Sequence, residues 1–255
     1  MSENSNLPSP VPPGQAPLGS GAMFDRIAER YDFLNRVLSL GIDHRWRRRA
    51  IAQLRISDAP AHIVDVATGT ADIALAIHKR HPHAEVTGVD PSVGMLDVGQ
   101  KKSRARGADA QVRLLVGDAL SLPLDTASVD GAIIAFGIRN IPDRRAALAE
   151  MVRVVRPGGR VVVLELVEPE GRGLGRLARF HVHHVVPRLG GWLSGSREYR
   201  HLQQSIEAFP PPATFQTWME EAGLVDVSAT SQTFGVAYIF AGTVAGGTPD
   251  ADGAP

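Results

Sequence analysis

The amino-acid sequence predicts a doubly wound α/β fold, in which parallel strands are joined by crossover helices. Short apolar runs alternate with helix-like segments from Ala61 onward, and this alternation is typical of βαβ units. The run VDGAIIAF at 129–136 is almost continuously apolar, as expected for a central strand covered on both faces. Acidic residues follow the first strands, where the loops of such a fold bind ligands.

Strands and helices alternate regularly in the first part of this fold. The predicted strands cover 62–66, 85–90, 111–116, 129–136 and 161–167, and the predicted helices cover 71–80, 143–155 and a segment that begins at Pro91-Ser92. The helix at 143–155 has apolar residues at helical spacing on one face, and Pro157-Gly158-Gly159 is expected to end it.

The C-terminal part departs from this alternation. Segments rich in Arg, His and Leu, from Pro169 to about Phe209, predict a helical insertion after strand five. A run of three prolines then precedes a short helix at 214–222. Two β-rich runs at 224–230 and 233–241 are typical of a closing hairpin.

A single folded domain is expected over residues 22–243. Residues 1–21 are rich in Pro, Ser and Gly and lack the basic start and apolar stretch of a secretory signal, so they predict a disordered lead. Residues 244–255 have a similar composition and predict a disordered tail. No run approaches the roughly 18 apolar residues that a membrane-spanning helix needs.

Composition excludes several classes of function. The 27 basic and 27 acidic residues cancel, so no overall field attracts nucleic acid, and an RNA-modifying enzyme is disfavoured. Cysteine is absent, which removes disulfides, thiolate metal sites and cysteine nucleophiles. A chain without cysteine fits a reducing compartment, and we expect a cytoplasmic protein.

The candidate binding residues lie where the first three strands end. Asp65 closes strand one and is followed by Gly69 and Thr70, which suit close approach of a ligand to a helix N-terminus. Asp90 closes strand two, where a carboxylate accepts hydrogen bonds from ribose hydroxyls. Asp118-Ala119 follows strand three and is placed to flank an adenine edge.

Two alternatives stand beside this interpretation. Each of the three aspartates is also a common turn former at a strand end. A nicotinamide-dependent oxidoreductase also ends strand two in an acid, but its pyrophosphate requires G-x-G-x-x-G, whereas the loop after Thr68 has Gly69 alone. S-adenosylmethionine has no phosphate and carries a sulfonium cation, so an acidic loop with few glycines suits it better.

Several motifs resemble those of the ubiquinone/menaquinone biosynthesis C-methyltransferases (UbiE/MenG type), across nearly all of the folded part. The most specific are an N-terminal signature and the sequence FGIRN at 136–140 after strand four. The matching residues are Met23-Phe24-Asp25, Tyr31-Asp32, Asn35, Ser39, Gly41, Trp46, Arg47, DVATGTAD at 65–72, RPGGR at 156–160, Ser205-Ile206 and Phe209-Pro210. The chain departs from the family pattern at Ala135 and His201, where serine and tyrosine are common.

The resemblance implies a class I methyltransferase fold, Rossmann-like, with seven strands of which the last is antiparallel. It implies S-adenosylmethionine as cofactor, in contact with Thr70, Asp90, Asp118 and Ala119. It also implies methylation of a quinol ring, demethylmenaquinol to menaquinol or the corresponding ubiquinone precursor. A small-molecule methyltransferase of secondary metabolism and a non-catalytic module that binds the cofactor remain alternatives.

Methyl transfer to a ring carbon requires alignment and an electron-rich acceptor, which a phenolate provides. We expect Arg139 to hold that phenolate by a charge-assisted hydrogen bond and Asn140 to orient the ring. The alternative is a structural Arg139 that pairs with a strand-end acid. Further candidates for the substrate site are Tyr31, Asn35, Tyr199 and His201. The first three are equally typical of helix caps or core. His201 is a candidate base, but a lone histidine is more often a surface or core residue.

Two histidine- and arginine-rich features remain. His181, His183 and His184 have no accompanying carboxylate signature, so we predict no metal site. The segment 172–192 mixes arginines with Leu, Phe, Val and Trp, which predicts either peripheral contact with the inner face of a membrane or an amphipathic cap over the pocket. The expected partner is a lipophilic quinol, and oligomeric state is not predicted.

Overall fold

The computed structural model describes residues 28, 41–57, 59–168 and 196–246. The predicted lead at 1–21, Tyr31, Asn35, the three histidines and the segment 172–192 lie outside the described residues. In the part that is described, no helix is both long and apolar enough to cross a membrane.

The sheet has seven strands in the order β3-β2-β1-β4-β5-β7-β6. The strands are β1 (Ala61–Val66), β2 (Ala84–Asp90), β3 (Val112–Val116), β4 (Val129–Ala135), β5 (Val155–Leu166), β6 (Leu224–Gln232) and β7 (Ala237–Val244). Strands β1 to β5 pair in parallel, and β7 runs antiparallel to both β5 and β6. The predicted mostly parallel sheet, central β4, antiparallel last strand and closing hairpin are therefore confirmed.

Helices cover both faces of the sheet. They are α1 (Asp43–Gln53), α2 (Asp72–Arg80), α3 (Val93–Ala105), α4 (Arg144–Val154), α5 (Ser196–Glu207) and α6 (Pro212–Glu221). Alternate strand residues enter opposite cores: Val64 and Ile134 pack with α4 and α6, whereas Ile63 and Ile133 pack with α1 and α2. The doubly wound arrangement follows from this burial of both faces.

Several predicted boundaries differ from those of the structure. Helix α2 begins at Asp72, because Ala71 has a left-handed φ of 64°. Strand β5 begins at Val155 and includes Pro157-Gly158-Gly159, which forms an irregularity in the pairing with β4. Strand β7 begins at Ala237 and not at 233, because residues 233–235 form a 3₁₀ turn. It extends to Val244, one residue into the predicted tail, because Val244 pairs with β6.

The strand order creates a crevice at one edge of the sheet. From β1 the chain winds outward to β2 and β3, and then crosses back to add β4 on the other side of β1. After β1 and after β4 the chain therefore continues in opposite directions along the sheet, and open α/β sheets bind their ligands at the carboxyl edge beside such a point.

Candidate cofactor and acceptor site

The loop after β1 is built around the buried side chain of Asp65. Its Oδ2 accepts hydrogen bonds from the hydroxyl of Thr68 at 2.6 Å and from the backbone N–H of Ala74 at 3.1 Å. Ala67 and Gly69 have φ angles of 51° and 55°, in the left-handed region. A non-glycine residue in that region is strained, and such strain concentrates where loops approach ligands.

Burial raises the pKa of Asp65 to about 7. The hydrogen bonds from Thr68 and Ala74 and the positive charge of Arg47 act in the opposite direction, and the negative charge of Asp90 adds to the increase. Asp65 therefore changes charge near neutral pH, at the centre of the predicted cofactor loop.

Asp90 links the loops that follow β1 and β2. Its Oδ2 accepts a hydrogen bond from the backbone N–H of Gly69 at 2.8 Å, and its Oδ1 accepts one from that of Ser92 at 2.9 Å. Ser92 in turn caps α3 by accepting from the N–H of Met95 at 3.1 Å. Because a carboxylate oxygen accepts up to two hydrogen bonds, this arrangement is compatible with ribose hydroxyls at Asp90.

Thr70 is buried and is held by a lysine from α3. Lys102 Nζ donates to Thr70 Oγ1 at 3.0 Å and to Asp72 Oδ1 at 2.5 Å. Lys102 was not predicted from the sequence, since a lysine within a predicted helix carries no local signal for a contact 30 residues away.

The end of β3 combines a polar turn with exposed apolar side chains. Asp118 Oδ1 accepts a hydrogen bond from the N–H of Leu120 at 3.0 Å, and Ala119 is buried. Val116 and Leu120 are 45% and 38% exposed, and Val116 lies in register with Asp90. Asp118 thus acts as a turn former, as the alternative interpretation of the strand-end aspartates expected. It lies beside an apolar surface suited to an aromatic base.

The loops after β1 and β4 touch each other. A Cβ atom added to Gly137 would lie 2.7 Å from the Cβ of Ala67, closer than side-chain atoms pack. Phe136, just before it, has a φ of 61°. Only glycine at position 137 lets the FGIRN segment approach the predicted cofactor loop this closely.

Arg139 forms a buried ion pair with Glu165 of β5. Its Nη1 lies 2.6 Å from Glu165 Oε1 and also donates to the carbonyl of Phe136 at 2.6 Å. The side chains are 8% and 0% exposed. The pairing with a strand-end acid that the alternative interpretation expected is therefore present, and the catalytic role of Arg139 stays a prediction.

Glu165 itself is fully engaged by the turn that carries Arg139. Its Oε2 accepts the backbone N–H of Arg139 at 3.2 Å, and its Oε1 accepts that of Leu166 at 2.8 Å. Glu165 was not among the predicted site residues. The signal was an acid inside the apolar run VVVLEL, a position that a carboxylate occupies only when it is paired.

Helix α1 covers the loop after β4. The Trp46 and Phe136 ring centroids are 6.4 Å apart, and Arg47 Cζ lies 5.1 Å from the Phe136 ring centroid. Trp46 Nε1 also donates to Thr233 Oγ1 at 2.9 Å, which joins α1 to the turn before β7. Part of the N-terminal signature thus meets the FGIRN segment in space.

The other predicted substrate residues are less completely defined. Asn140 lies in the 3₁₀ turn Ile138–Asn140 with Arg139, and α5 packs against this turn. Tyr199 and His201 belong to α5, but their side chains are outside the described part of the chain. Of the predicted substrate residues, the structure thus defines the backbone of the turn with Asn140 and the Arg139–Glu165 pair.

Residues 19–244 match the model of the ubiE/COQ5 methyltransferase family. The chain belongs to this family. It is 47% identical to the demethylmenaquinone methyltransferase of Thermus thermophilus over 221 residues, which are 86% of this chain and 99% of that protein. It is 46% identical to the ubiquinone/menaquinone biosynthesis C-methyltransferase UbiE of Syntrophotalea carbinolica over 220 residues, 86% of this chain and 92% of that one.

Solved structures of lower identity share the fold. The [4+2]-cyclase SpnF superposes with a TM-score of 0.66 at 17% identity, covering 89% of this chain and 96% of that one. A phosphoethanolamine N-methyltransferase of Haemonchus contortus, in complex with S-adenosylmethionine, gives a TM-score of 0.65 at 13% identity, covering 88% and 60%. These likenesses show the shared fold, which carries different activities in different proteins.

Family membership makes the chain a methyltransferase with S-adenosylmethionine as its cofactor. The residues at the carboxyl edge fit that molecule. The carboxylates of Asp65 and Asp90 suit a cationic sulfonium and a ribose, and Val116 and Leu120 offer an apolar surface to an adenine. The contact between Gly137 and Ala67 brings the acceptor loop to the cofactor loop.

Proposed function

We propose that this enzyme methylates a ring carbon of a quinol, with demethylmenaquinol as its acceptor. The observation that carries this proposal is the 47% identity to a demethylmenaquinone methyltransferase over nearly the whole of that relative. The FGIRN segment supports it, because this part of the chain lies against the cofactor loop through Gly137 and Ala67. The ubiquinone precursor is the second acceptor to be tested, since other relatives are named for both quinones.

The proposed cofactor orientation follows the strand order. Asp118 and Ala119 flank the adenine, Asp90 accepts hydrogen bonds from the ribose, and the sulfonium lies beyond, over the loops after β1 and β4. Asp65 is only 1% exposed, so its contribution is to hold Thr68 and the loop and to supply negative charge, rather than to contact the ligand. Gly69 and Thr70 form the backbone of the binding loop.

Arg139 is proposed to stabilise the acceptor in its phenolate form. When bound, the cofactor supplies an electrophilic methyl group. The contacts of Nη1 with Glu165 and with the carbonyl of Phe136 fix the guanidinium, and a fixed guanidinium donates to an oxyanion with little loss of entropy. Ionisation of the ring hydroxyl places electron density on the neighbouring carbon, while Asn140 orients the ring.

The remaining substrate residues stay predictions. We propose that Tyr31, Asn35 and Tyr199 contribute to the pocket wall and that His201 accepts the hydroxyl proton.

The segment 172–192 is proposed to rest on the inner face of the membrane and admit a lipid-tailed quinol. In a flotation assay, the protein should move to the top fraction with anionic liposomes, and the variant Arg176→Ala/Arg179→Ala should lose this association. Equal flotation of the two proteins would favour the cap alternative.

The deciding experiment is methylation by the purified enzyme of short-tailed demethylmenaquinol and of the demethylated ubiquinol precursor, with methyl-labelled S-adenosylmethionine. We expect label in menaquinol. Label only in the ubiquinol product would reassign the acceptor, and label in neither quinol would refute the proposed function.

Arg139→Lys should lower kcat about 100-fold without changing cofactor affinity, because it removes a planar donor used in the transition state. Arg48→Gln, an exposed change of charge on α1, is the matched control.

A further inference from the structure

Arg47 is a buried cation whose position calls for an explanation. It lies on α1, is 9% exposed, and its Cζ is 5.1 Å from the centroid of the Phe136 ring. Phe136 directly precedes Gly137, which touches Ala67 in the loop after β1. Arg47 therefore lies beside the junction of the two loops that form the crevice. Its positive charge also lowers the pKa of Asp65, so the two groups are close enough to interact.

The strand order indicates which part of the cofactor reaches this junction. Successive strands are about 4.8 Å apart, so β3, β2, β1 and β4 together span roughly 14 Å. With the adenine at the end of β3 and the ribose at Asp90 of β2, the amino-acid part of the molecule extends across β1 towards β4. That part carries an ammonium group and a carboxylate.

The carboxylate needs a cation, and the acids of the crevice cannot supply one. Asp65 and Asp90 attract the ammonium and the sulfonium but repel a carboxylate. Arg139 pairs with Glu165 and is already assigned to the acceptor oxyanion, and Lys102 is held by Asp72 and Thr70.

Arg47 differs from these two cations in how its donors are used. Within the described residues, its hydrogen bond is made by Nε to Asp43 Oδ2 at 3.2 Å. A guanidinium has five N–H donors, of which Nε supplies one, and its terminal pair matches a carboxylate in bidentate geometry. Phe136 supports the face of the guanidinium and sets its plane.

We propose that Arg47 binds the carboxylate of the amino-acid part of S-adenosylmethionine. The inference rests on the cofactor site of the proposed function and adds to it a residue from outside the strand-end loops. Asp43 then acts as a positioning residue that holds Nε, so that the terminal nitrogens of Arg47 face the crevice.

Calorimetry with S-adenosylmethionine and with its decarboxylated form tests this directly, because the two differ only in the carboxylate. The wild-type enzyme should prefer the intact cofactor by about 10- to 100-fold, the usual range for a charge-assisted contact. Arg47→Gln should remove this preference by weakening the intact cofactor alone. Arg48→Gln, an exposed change of charge on the same helix, should keep the preference.

The outcomes separate the inference from the proposed function. If the wild-type enzyme binds neither ligand, the cofactor site itself is wrong. If it binds both equally, or if Arg47→Gln weakens both equally, Arg47 is structural and the inference is refuted. Asp43→Asn adds a second criterion: its amide oxygen still accepts from Nε, so the preference should be retained, whereas a purely structural ion pair predicts equal weakening of both ligands. Should Arg47→Gln fail to fold, Arg47→Lys, which lacks the bidentate geometry, should reduce the preference severalfold, and an unchanged preference refutes the inference.

Discussion

The buried acids at the carboxyl ends of β1 and β2 have different hydrogen-bond donors from the buried acid at the end of β5. Backbone amides and a hydroxyl hold the carboxylates of Asp65 and Asp90. A guanidinium holds Glu165, which accepts hydrogen bonds from both the side chain and the backbone of Arg139. All three acids stand at the edge of one sheet, but their partners carry different charge.

The difference in partners assigns different roles to the two regions. Neutral donors orient a carboxylate without cancelling its charge, so the ends of β1 and β2 keep a negative field for a cationic ligand. The Arg139–Glu165 pair is internally neutral and fixes the position of the turn after β4. The negative region around Asp65 and Asp90, proposed to bind the cofactor, thus lies beside the more rigid region, the turn after β4, which is proposed to present the acceptor.

The largest expected effect comes from breaking the rigid region. Glu165→Gln leaves the guanidinium of Arg139 buried without its counter-charge, and the free energy of unfolding should fall by about 3 kcal/mol, within the range for a broken buried pair. Urea denaturation measures this value.

The exposed pair of Arg145 and Glu221 is the control for this substitution. Its side chains are 56% and 50% exposed, so Glu221→Gln should change the free energy of unfolding by less than about 1 kcal/mol. Equal effects of the two substitutions would mean that the Arg139–Glu165 pair does not stabilise its turn more than a surface pair does.

A substitution in the negative region should act on binding more than on folding. Asp90→Asn replaces one acceptor oxygen by an amide that cannot accept from the N–H of Gly69 or Ser92, and it removes the charge. Affinity for S-adenosylhomocysteine, measured by calorimetry, should fall about 10- to 100-fold. Asp109→Asn, an exposed acid in the turn before β3, is the control and should not affect affinity. An unchanged affinity in Asp90→Asn would remove Asp90 from the ribose site.

Most of the fold was predictable from the sequence because its signals are local. Apolar runs predicted every strand of the sheet, and the pattern around 129–136 correctly predicted the central position of β4. The Pro157-Gly158-Gly159 segment was not predictable in this way. These residues are typical of a turn, but here the pairing of Val155 with Val129 continues the strand across an irregularity.

The positions of the candidate site residues were predictable where they lie at strand ends and unpredictable where they depend on tertiary contacts. Asp65 and Asp90 close their strands as expected. By contrast, Lys102 and Glu165 reach partners 30 and 26 residues away, and no spacing in the sequence encodes those distances. Their contacts follow from how α3 and β5 pack, which only the assembled sheet determines.

The pH dependence of affinity for S-adenosylmethionine should distinguish the region around Asp65 from the region around Glu165. Because the pKa of Asp65 is raised to about 7, its carboxyl group is neutral at pH 6 and anionic at pH 8. Cationic S-adenosylmethionine favours the anion, so its affinity should increase about tenfold from pH 6 to pH 8, the change expected for one linked proton. Asp65→Asn should remove this dependence, and the dependence should survive in Glu165→Gln.

The same shift has the opposite effect on stability. Folded Asp65 keeps its proton to a higher pH than the unfolded chain, whose value is near 3.8. Its contribution to the free energy of unfolding is therefore full below pH 3.8 and is lost as the pH increases towards 7. The stability difference between the wild type and Asp65→Asn should follow this trend in urea titrations. A difference that does not vary with pH would mean that Asp65 titrates normally.

The smallest expected effect concerns the cation at the border of the negative region. Lys102→Met removes the donor to Thr70 and the partner of Asp72. The side chains of Lys102 and Asp72 are 18% and 20% exposed, so the free energy of unfolding should fall by only about 1 kcal/mol. Affinity for S-adenosylhomocysteine should fall severalfold, because the hydroxyl of Thr70 loses the contact that orients it. Lys101→Met, its exposed neighbour on α3, should change neither value. If Lys102→Met instead strengthens binding, Lys102 reduces the negative charge available to the cofactor more than it orders the loop.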